Sequence, residues 1–469
     1  MRDFLDAVNG PLFVSLISVR KSTVIAGNHP KPRQINYSHF QSVWVIMLDI
    51  AYIREHLELV TNGMLAKGER DVSVIEELIT IDDQWRLVVR ELDLVRGESN
   101  AAAKQIGMLM GQGKKEEAQE MISKTADFKE RVKTLESQEK VLADKRQDLL
   151  FRIPNVPHPS VPVGATDHDN VVHHTWGSPM ETEWRRPHWD IVKEKGWIDF
   201  ERGVKVTGAG FPFYIGPMAR LQRALISFFL DRAGHKGYVE LQAPYFVNED
   251  SARGTGQIPD KEDQMYTIPR DGFFAIPTAE VPVTNFHRDE ILNEQDLPVK
   301  YAAYTPCWRR EAGSYGKDVR GLNRLHQFDK VELVKIVHPD RSYDELESLR
   351  MDAEELLQAL GLPYRTLLMC TGDMGFTQTK KYDLEVWSAG QGRWLEVSSC
   401  SNFESFQARR MMLRFRDDQG KIQMCHTLNG SGLALPRVVS ALIEAGQQPD
   451  GRVRIPEVLV PYMGTDLIG

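Results

Sequence analysis

The hydrophobic and polar positions of this 469-residue chain change their period part-way along. From Ser73 to Met110 and again from Lys114 to Phe151 there is no proline, and Glu, Lys, Gln, Leu and Ala dominate, a composition that favours helix. In the second stretch Met121, Thr125, Phe128, Val132, Leu135, Glu139, Leu142, Arg146 and Leu149 recur three and four apart. That is a coiled-coil seam with a few polar breaks. A weaker seam runs along the first stretch through Leu78, Trp85, Val89, Leu92, Ala103, Ile106 and Met110. Gly111-Gln112-Gly113 sits between the two and can reverse the chain. The pattern predicts an antiparallel helical hairpin on the order of 55 Å long. A rod of that length cannot be the core of a compact domain. It reaches for something: a partner helix, a membrane surface or a nucleic acid. Its own charges do not choose among these.

The dense prolines of Ile153-Pro154-Asn155-Val156-Pro157-His158-Pro159-Ser160-Val161-Pro162 end the helix and predict a stiff linker. Beyond it, strand-like alternation mixes with helical patterns at Gly216–Ala233 and Ser342–Leu360. The expectation is a large α+β domain with an antiparallel sheet flanked by helices. The chain thus divides into residues 1–46, a helical hairpin domain at 47–152, a linker at 153–165 and the large domain at 166–469. Residues 1–46 are atypical. Arg20 and Lys21 interrupt an apolar run, and Asp3 and Asp6 suit a transit segment poorly. We expect an over-long, poorly ordered start, with the true beginning at Met47.

Composition narrows the classes. With 42% hydrophobic and 26% charged residues the chain can build large cores and stay soluble. A net charge of −8 argues against a broad basic face but leaves room for a local one. Cys307, Cys370, Cys400 and Cys425 form no Cys-x-x-Cys pair, which argues against a zinc knuckle or a disulfide frame. Reduced thiols in a cytoplasmic, reducing compartment are expected. Cys425-His426 alone is weak evidence for a metal site. No run is long enough for a membrane-spanning helix.

Four segments of the second domain concentrate chemistry. In Pro277-Thr278-Ala279-Glu280, a hydroxyl and a carboxylate two apart on a strand would share a face and hold an ammonium group, or form an incidental surface pair. From Arg309-Arg310-Glu311 through a Gly-bearing loop to Glu332, alternating residues flank a turn as a β-hairpin requires. There Arg309 suits a carboxylate or phosphate, Glu311 an exocyclic amine and Phe328 a base face. The plainer alternative is an Arg309–Glu311 ion pair and a core Phe328. In Glu396-Val397-Ser398-Ser399, Glu396 and Ser399 would share a Mg²⁺ beside substrate phosphates. In Thr427-Leu428-Asn429-Gly430-Ser431-Gly432, a strand of small residues would let a ligand approach the backbone, with Arg437 above it near the start of a helix. No P-loop occurs, so a nucleotide here must be held by arginines on an antiparallel sheet.

These segments, in this order, resemble the seryl-tRNA synthetase family, class II aminoacyl-tRNA synthetases, in its bacterial type. Met47-Leu48-Asp49-Ile50-Ala51-Tyr52-Ile53-Arg54-Glu55 looks like the family's opening, and Ile455-Pro456-Glu457-Val458-Leu459-Val460-Pro461-Tyr462-Met463 like its ending. Motif 1 would be the helix near Gly216–Ala233 and the strand leading to Pro244. Motif 2 would be Arg309–Glu332, and motif 3 Gly432–Arg437 with the following helix. Two departures occur: Gly208–Phe213 lacks the basic residue many members carry, and Trp308 stands where Phe is more usual.

The resemblance implies ATP-dependent activation of L-serine, then transfer to tRNA(Ser) and tRNA(Sec), by a homodimer with no membrane role. It implies that Glu280, with Thr278, binds the serine ammonium, and that Ala279 belongs to the same serine site. Arg309 would hold the serine carboxylate and the α-phosphate. Glu332 and Ser431 would bond the serine hydroxyl, with Asn429 nearby. ATP would be bound by Arg309, Arg310, Glu311, Leu325, Phe328, Glu396, Val397, Ser398, Ser399 and Arg437, and Mg²⁺ by Glu396 and Ser399. The hairpin would grip the long variable arm of the tRNA. Other readings are an inactive RNA-binding relative or an amino acid:carrier-protein ligase. The first should have lost some of these residues, and the second typically lacks the arm.

Overall fold

The computed structural model describes residues 50–180, 183–259, 263–311 and 320–469. The expected extension 1–46, Met47-Leu48-Asp49 and the tip of the motif 2 connection at 312–319 lie outside the described residues.

Two long helices, α1 (Ser73–Gly111) and α2 (Lys115–Leu150), pack against each other as a hairpin. Every expected seam position of α2 is buried or half-buried. In α1, Ala103 and Met110 are exposed, and Ala102 and Leu109 take the inner positions instead. Val95, which the pattern passed over, is buried in the seam, and the run 96–100 after it carries no apolar side chain, so the sequence pattern lost its count across it. The polar breaks of α2 meet polar partners in α1. Trp85 Nε1 donates to Glu139 at 2.9 Å, and Arg146 Nε donates to Asp82 at 2.7 Å. Asp82, fully buried, also takes Arg54 at 2.9 Å and Arg86 at 2.7 Å. Below it Ile53, Val60, Leu78, Leu149, Leu150 and Phe151 form a core that includes Phe406 from far along the chain.

The linker is clamped as well as stiff. Asn155 Nδ2 donates to the carbonyls of Thr377 and Phe403 at 3.0 and 2.8 Å, and the His158 N–H donates to the Thr379 carbonyl at 2.9 Å.

Eight strands then build one sheet: β1 (Val171–Trp176), β2 (Val239–Glu240), β3 (Val299–Trp308), β4 (Gln327–Val337), β5 (Tyr364–Leu368), β6 (Lys380–Ser388), β7 (Arg393–Asn402) and β8 (His426–Ala434). Their order is β1-β5-β6-β7-β8-β4-β3-β2. All neighbours are antiparallel except the edge pair β2 and β3. Helices α3 (Pro217–His235), α4 (Ser342–Ala359) and α5 (Leu435–Gly446) share one apolar core with the sheet. The expected motif 1 helix is α3, and it leads into β2.

One sequence reading changes here. A Cβ on Gly430 would stand 2.8 Å from Cys400 Sγ and 3.2 Å from Leu349 of α4, and one on Gly432 would stand 3.1 Å from Leu333. These glycines bring the strand close to core side chains rather than to a ligand. Among the described residues no helix is long and apolar enough to cross a membrane, and all four cysteines are free and buried.

Candidate active site

Strand periodicity builds the floor of the site. On β4, Phe328, Lys330 and Glu332 lie two apart and line one cavity of about 500 Å³. Across the β4–β8 ladder Glu332 stands opposite Ser431, and across β7–β8 Ser401 stands opposite Asn429. All four line the same cavity.

Thr278 and Glu280 also line it, but not from a strand. They lie at the entry to a short helix, Glu280–Thr284. The Thr278 hydroxyl accepts the Glu280 N–H at 3.2 Å, a local bond that turns the chain away from extended geometry. Ala279 is buried in an apolar cluster with Val283, Ala303 and Val334 and does not line the cavity. Lys330 Nζ donates to Thr278 at 2.8 Å and pairs with Glu332 at 2.5 Å. Thr278 donates to Glu332 at 3.3 Å. Burial, and next the Glu332 charge, push the Glu280 carboxyl up to about 7, against Gln407, Lys330 and Asn429. Asn429 approaches that carboxylate, yet its buried Nδ2 reaches no acceptor in good geometry. This end of the cavity is therefore a compact set of acids with one buried ammonium.

The pairing of β3 with β4 is the expected hairpin, with Trp308 opposite Gln327. Arg309 Nε donates to the Pro277 carbonyl at 3.2 Å, and its guanidinium lies 5.2 Å from the Phe328 ring centre. Glu311 adopts a φ of +51°, so the strand has already ended. Its carboxylate is met by Arg324 at 2.5 Å, so the anticipated Arg309–Glu311 alternative is replaced by a pair within the connection. Arg310 corrects another expectation. It pairs with Asp263 at 3.3 Å, lies over Tyr266, and does not line the cavity. Adjacent residues at a strand end point to opposite sides.

Glu396 and Ser399 are three apart, a spacing that a regular strand sends to opposite faces. Between β6 and β7 the register shifts: Leu384 faces Ser398, whereas Glu385 faces Glu396. That bulge brings Glu396, Val397, Ser398 and Ser399 all onto the cavity wall. Arg437, in the first turn of α5, donates from Nε to the Asn323 carbonyl at 3.0 Å and from its terminal nitrogen to the Glu396 carbonyl at 2.6 Å. The cavity walls around the half-exposed Glu396 side chain partly oppose its ionisation, but Arg437, then Lys381, Arg309 and Lys330, hold its carboxyl below the ordinary value. Two guanidiniums from distant segments therefore act on one carboxylate in one cavity. Burial and Glu396 push the neighbouring Asp383 up to about 6, although Lys381 pairs with it at 3.0 Å. Among the described residues no group of three or more His, Cys, Asp or Glu could hold a metal. Glu396 and Ser399 are hard oxygen donors on one wall, which fits Mg²⁺ completed by phosphate and water.

Sequence reasoning missed Lys330, Lys381, Asn323 and Arg324, all of which line the cavity. Lys330 was within reach, since it alternates with Phe328 and Glu332. The other three depend on a connection and on a strand pairing that periodicity does not reveal.

An antiparallel floor crossed by arginines from a strand-end and from a following helix defines the catalytic core of a class II aminoacyl-tRNA synthetase. The sequence model described as tRNA synthetase class II core domain (G, H, P, S and T) matches residues 266–446. A second, the seryl-tRNA synthetase N-terminal domain, matches residues 47–157. The chain is 56% identical over 425 residues to the serine--tRNA ligase of Salinibacter ruber, covering 90% of this chain and 99% of that one. It belongs to the seryl-tRNA synthetase family. Among solved structures it resembles the Pyrococcus horikoshii seryl-tRNA synthetase complexed with ATP, at 38% identity and a TM-score of 0.83, covering 90% and 99% of the two chains. The cytoplasmic serine-tRNA ligase of Naegleria fowleri in complex with AMP matches at 28% identity and a TM-score of 0.78, covering 90% and 98%.

Proposed function

We propose that the chain is a serine--tRNA ligase, and that the cavity on its antiparallel sheet is where serine and ATP meet. The observation that carries the reading is the convergence of Arg309 and Arg437 on one cavity whose far end holds Glu280, Glu332 and Ser431. In this reading the serine ammonium lies against Glu280 and Thr278, and the serine hydroxyl against Glu332 and Ser431, with Asn429 beside it. Arg309 neutralises the serine carboxylate and the α-phosphate. Phe328 and Arg437 take the two faces of the adenine, and Glu311 receives its amino group next to Leu325. Arg437 also reaches the γ-phosphate. Glu396 and Ser399 would hold Mg²⁺, which supplies further neutralisation of triphosphate charge.

A serine carboxylate oxygen attacks the α-phosphorus, the bond to the bridging oxygen breaks, and pyrophosphate leaves. A terminal ribose hydroxyl of tRNA(Ser) then attacks the adenylate carbonyl, giving seryl-tRNA, AMP and a proton. No side chain need become a nucleophile in the first step. Positioning and charge neutralisation supply the rate. We assign tRNA(Sec) as a second acceptor, a cytoplasmic location, and a homodimer joined through the motif 1 region. Exposed Phe213, Ile215 and Val239, on the segments flanking α3, support the dimer. Residues 47–152 act as the tRNA-gripping module, 153–165 as its linker and 166–469 as the catalytic domain.

A pocket that hydrogen-bonds a hydroxyl rejects the analogue lacking it by roughly 10⁴–10⁵, because its buried groups stay unpaired. ATP–pyrophosphate exchange should therefore respond to serine and not to alanine. Equal exchange with several amino acids, or none with serine, would sink the assignment.

A further inference from the structure

Leu322, Asn323, Arg324 and Leu325 line the nucleotide side of the cavity, yet they belong to a connection and not to a strand. Such a segment keeps one place only when something outside it holds it there. Here the holder is a buried pair from two distant parts of the chain. His188 opens the short helix His188–Glu194, and Glu444 lies in the last turn of α5. Both side chains are fully buried, with His188 Nδ1 2.8 Å from a Glu444 oxygen. The Leu322 backbone N–H donates to His188 Nε2 at 2.9 Å. An amide can only donate, so Nε2 is the acceptor and the ring proton sits on Nδ1, aimed at the carboxylate. The approach is close enough to require glycine next door. A Cβ on Gly321, whose φ is +66°, would stand 2.4 Å from Nε2.

Glu444 is a hub. It also accepts the backbone N–H groups of His188 and Gly390 at 3.0 Å each, the Ser388 hydroxyl, and Gln391 Nε2 at 3.3 Å. Burial opposes its ionisation, but these donors, His188 foremost, hold its carboxyl below the ordinary value. Gln391 in turn forms a two-way amide pair with Asn323, at 3.0 and 3.2 Å. The Asn323 carbonyl accepts Arg437 Nε. Two limbs thus leave one carboxylate, one through His188 to Leu322 and one through Gln391 to Asn323, and the second ends on a guanidinium of the cavity.

We propose that His188 and Glu444, neither of which lines the cavity, are positioning residues for ATP: they fix the Leu322–Leu325 wall and the direction of Arg437. The proposal rests on the reading of this cavity as the ATP site. Pyrophosphate exchange with ATP varied at saturating serine, and then the reverse, tests it. His188→Gln keeps an acceptor at the reach of Nε2. His188→Asn keeps a donor at the reach of Nδ1 but offers Leu322 nothing. The KM for ATP should rise about tenfold in His188→Asn and about twofold in His188→Gln, with the KM for serine within about twofold of the parent in both. Gln391→Ala cuts the other limb at a half-buried site and should raise the ATP KM about threefold. It carries the test if the His188 variants do not fold. Equal rises for both substrates, or an unchanged ATP KM in the variants that fold, overturn the proposal. A parent chain without serine-dependent exchange overturns the functional reading, and this proposal with it.

Discussion

In the proposed reading, Glu280 serves binding at the expense of stability. Its carboxyl titrates near 7 in the folded chain against an ordinary value of 4.5. Between those pH values the folded state keeps a proton that the unfolded chain has lost. Stability therefore falls as pH rises from about 4.5 to about 7 and stays lower above that. Glu280→Gln removes the titration and should stabilise the protein at pH 8 by about 1–3 kcal/mol, with little gain at pH 5. Urea unfolding at the two pH values measures this. The same variant should lose about 100-fold or more in kcat/KM for serine. The parent's rise in that ratio through pH 7 should flatten. A variant that kept the parent's pH profile would show that another group binds the ammonium. At this scale the sequence was legible where chemistry alternates along a strand, as with Phe328 and Glu332. It misled where chain adjacency stood in for facing, as with Ala279 and Arg310. Lys330 was the residue that period-two reasoning should have added.

The elements were legible to the degree that their pattern is apolar and unbroken. The α2 seam was read correctly, while α1 slipped phase across a polar run. The bulge in β7 was invisible, because it is a property of the β6–β7 pairing and not of either strand alone. Asp82 was invisible for a related reason: it occupies a seam position as a charge, and its logic lies in Arg54, Arg86 and Arg146, which come from three different helices. The carboxylate is fully buried, and Arg146 nearly so. Removing one member of such a cluster leaves buried charge without its partner, at about 3–5 kcal/mol. Asp82→Ala should therefore loosen the root of the hairpin. Protease cleavage within α1 and α2 should quicken, while serine-dependent exchange stays near the parent level. A cleavage rate equal to that of the parent would show that the arginines are adequately solvated without Asp82.

On the scale of the whole molecule, the root of the arm is tied to the catalytic domain, and among the described residues the apolar seam of its outer part takes nothing from that domain. Lys67 Nζ donates to the carbonyls of Gly375, Phe376 and Gln378 at 3.0, 3.2 and 2.6 Å, and Gln378 lines the cavity. Phe406 enters the core at the root. The outer seam is a separate cluster of Leu92, Val95 and Leu135, with Val88, Phe128 and Val132 against it, and none of these comes from the catalytic domain. Cutting the arm across its middle thus takes nothing from the cavity or from the root. Consider a variant lacking residues 89–137, closed by a short glycine-rich turn, that keeps Trp85 on Glu139 and Asp82 on Arg146. On the proposed division of labour, in which adenylation needs only the cavity and the arm grips the tRNA, its exchange activity should stay within about threefold of the parent, whereas its aminoacylation of tRNA(Ser) should fall about 100-fold or more. Lys67→Met makes the complementary cut. It leaves the outer arm whole but removes three hydrogen bonds beside Gln378, so both reactions should decline together. If the shortened variant lost exchange as deeply as aminoacylation, the distal arm would have to act on the cavity itself, and the division between a gripping rod and a self-sufficient chemical floor would be wrong.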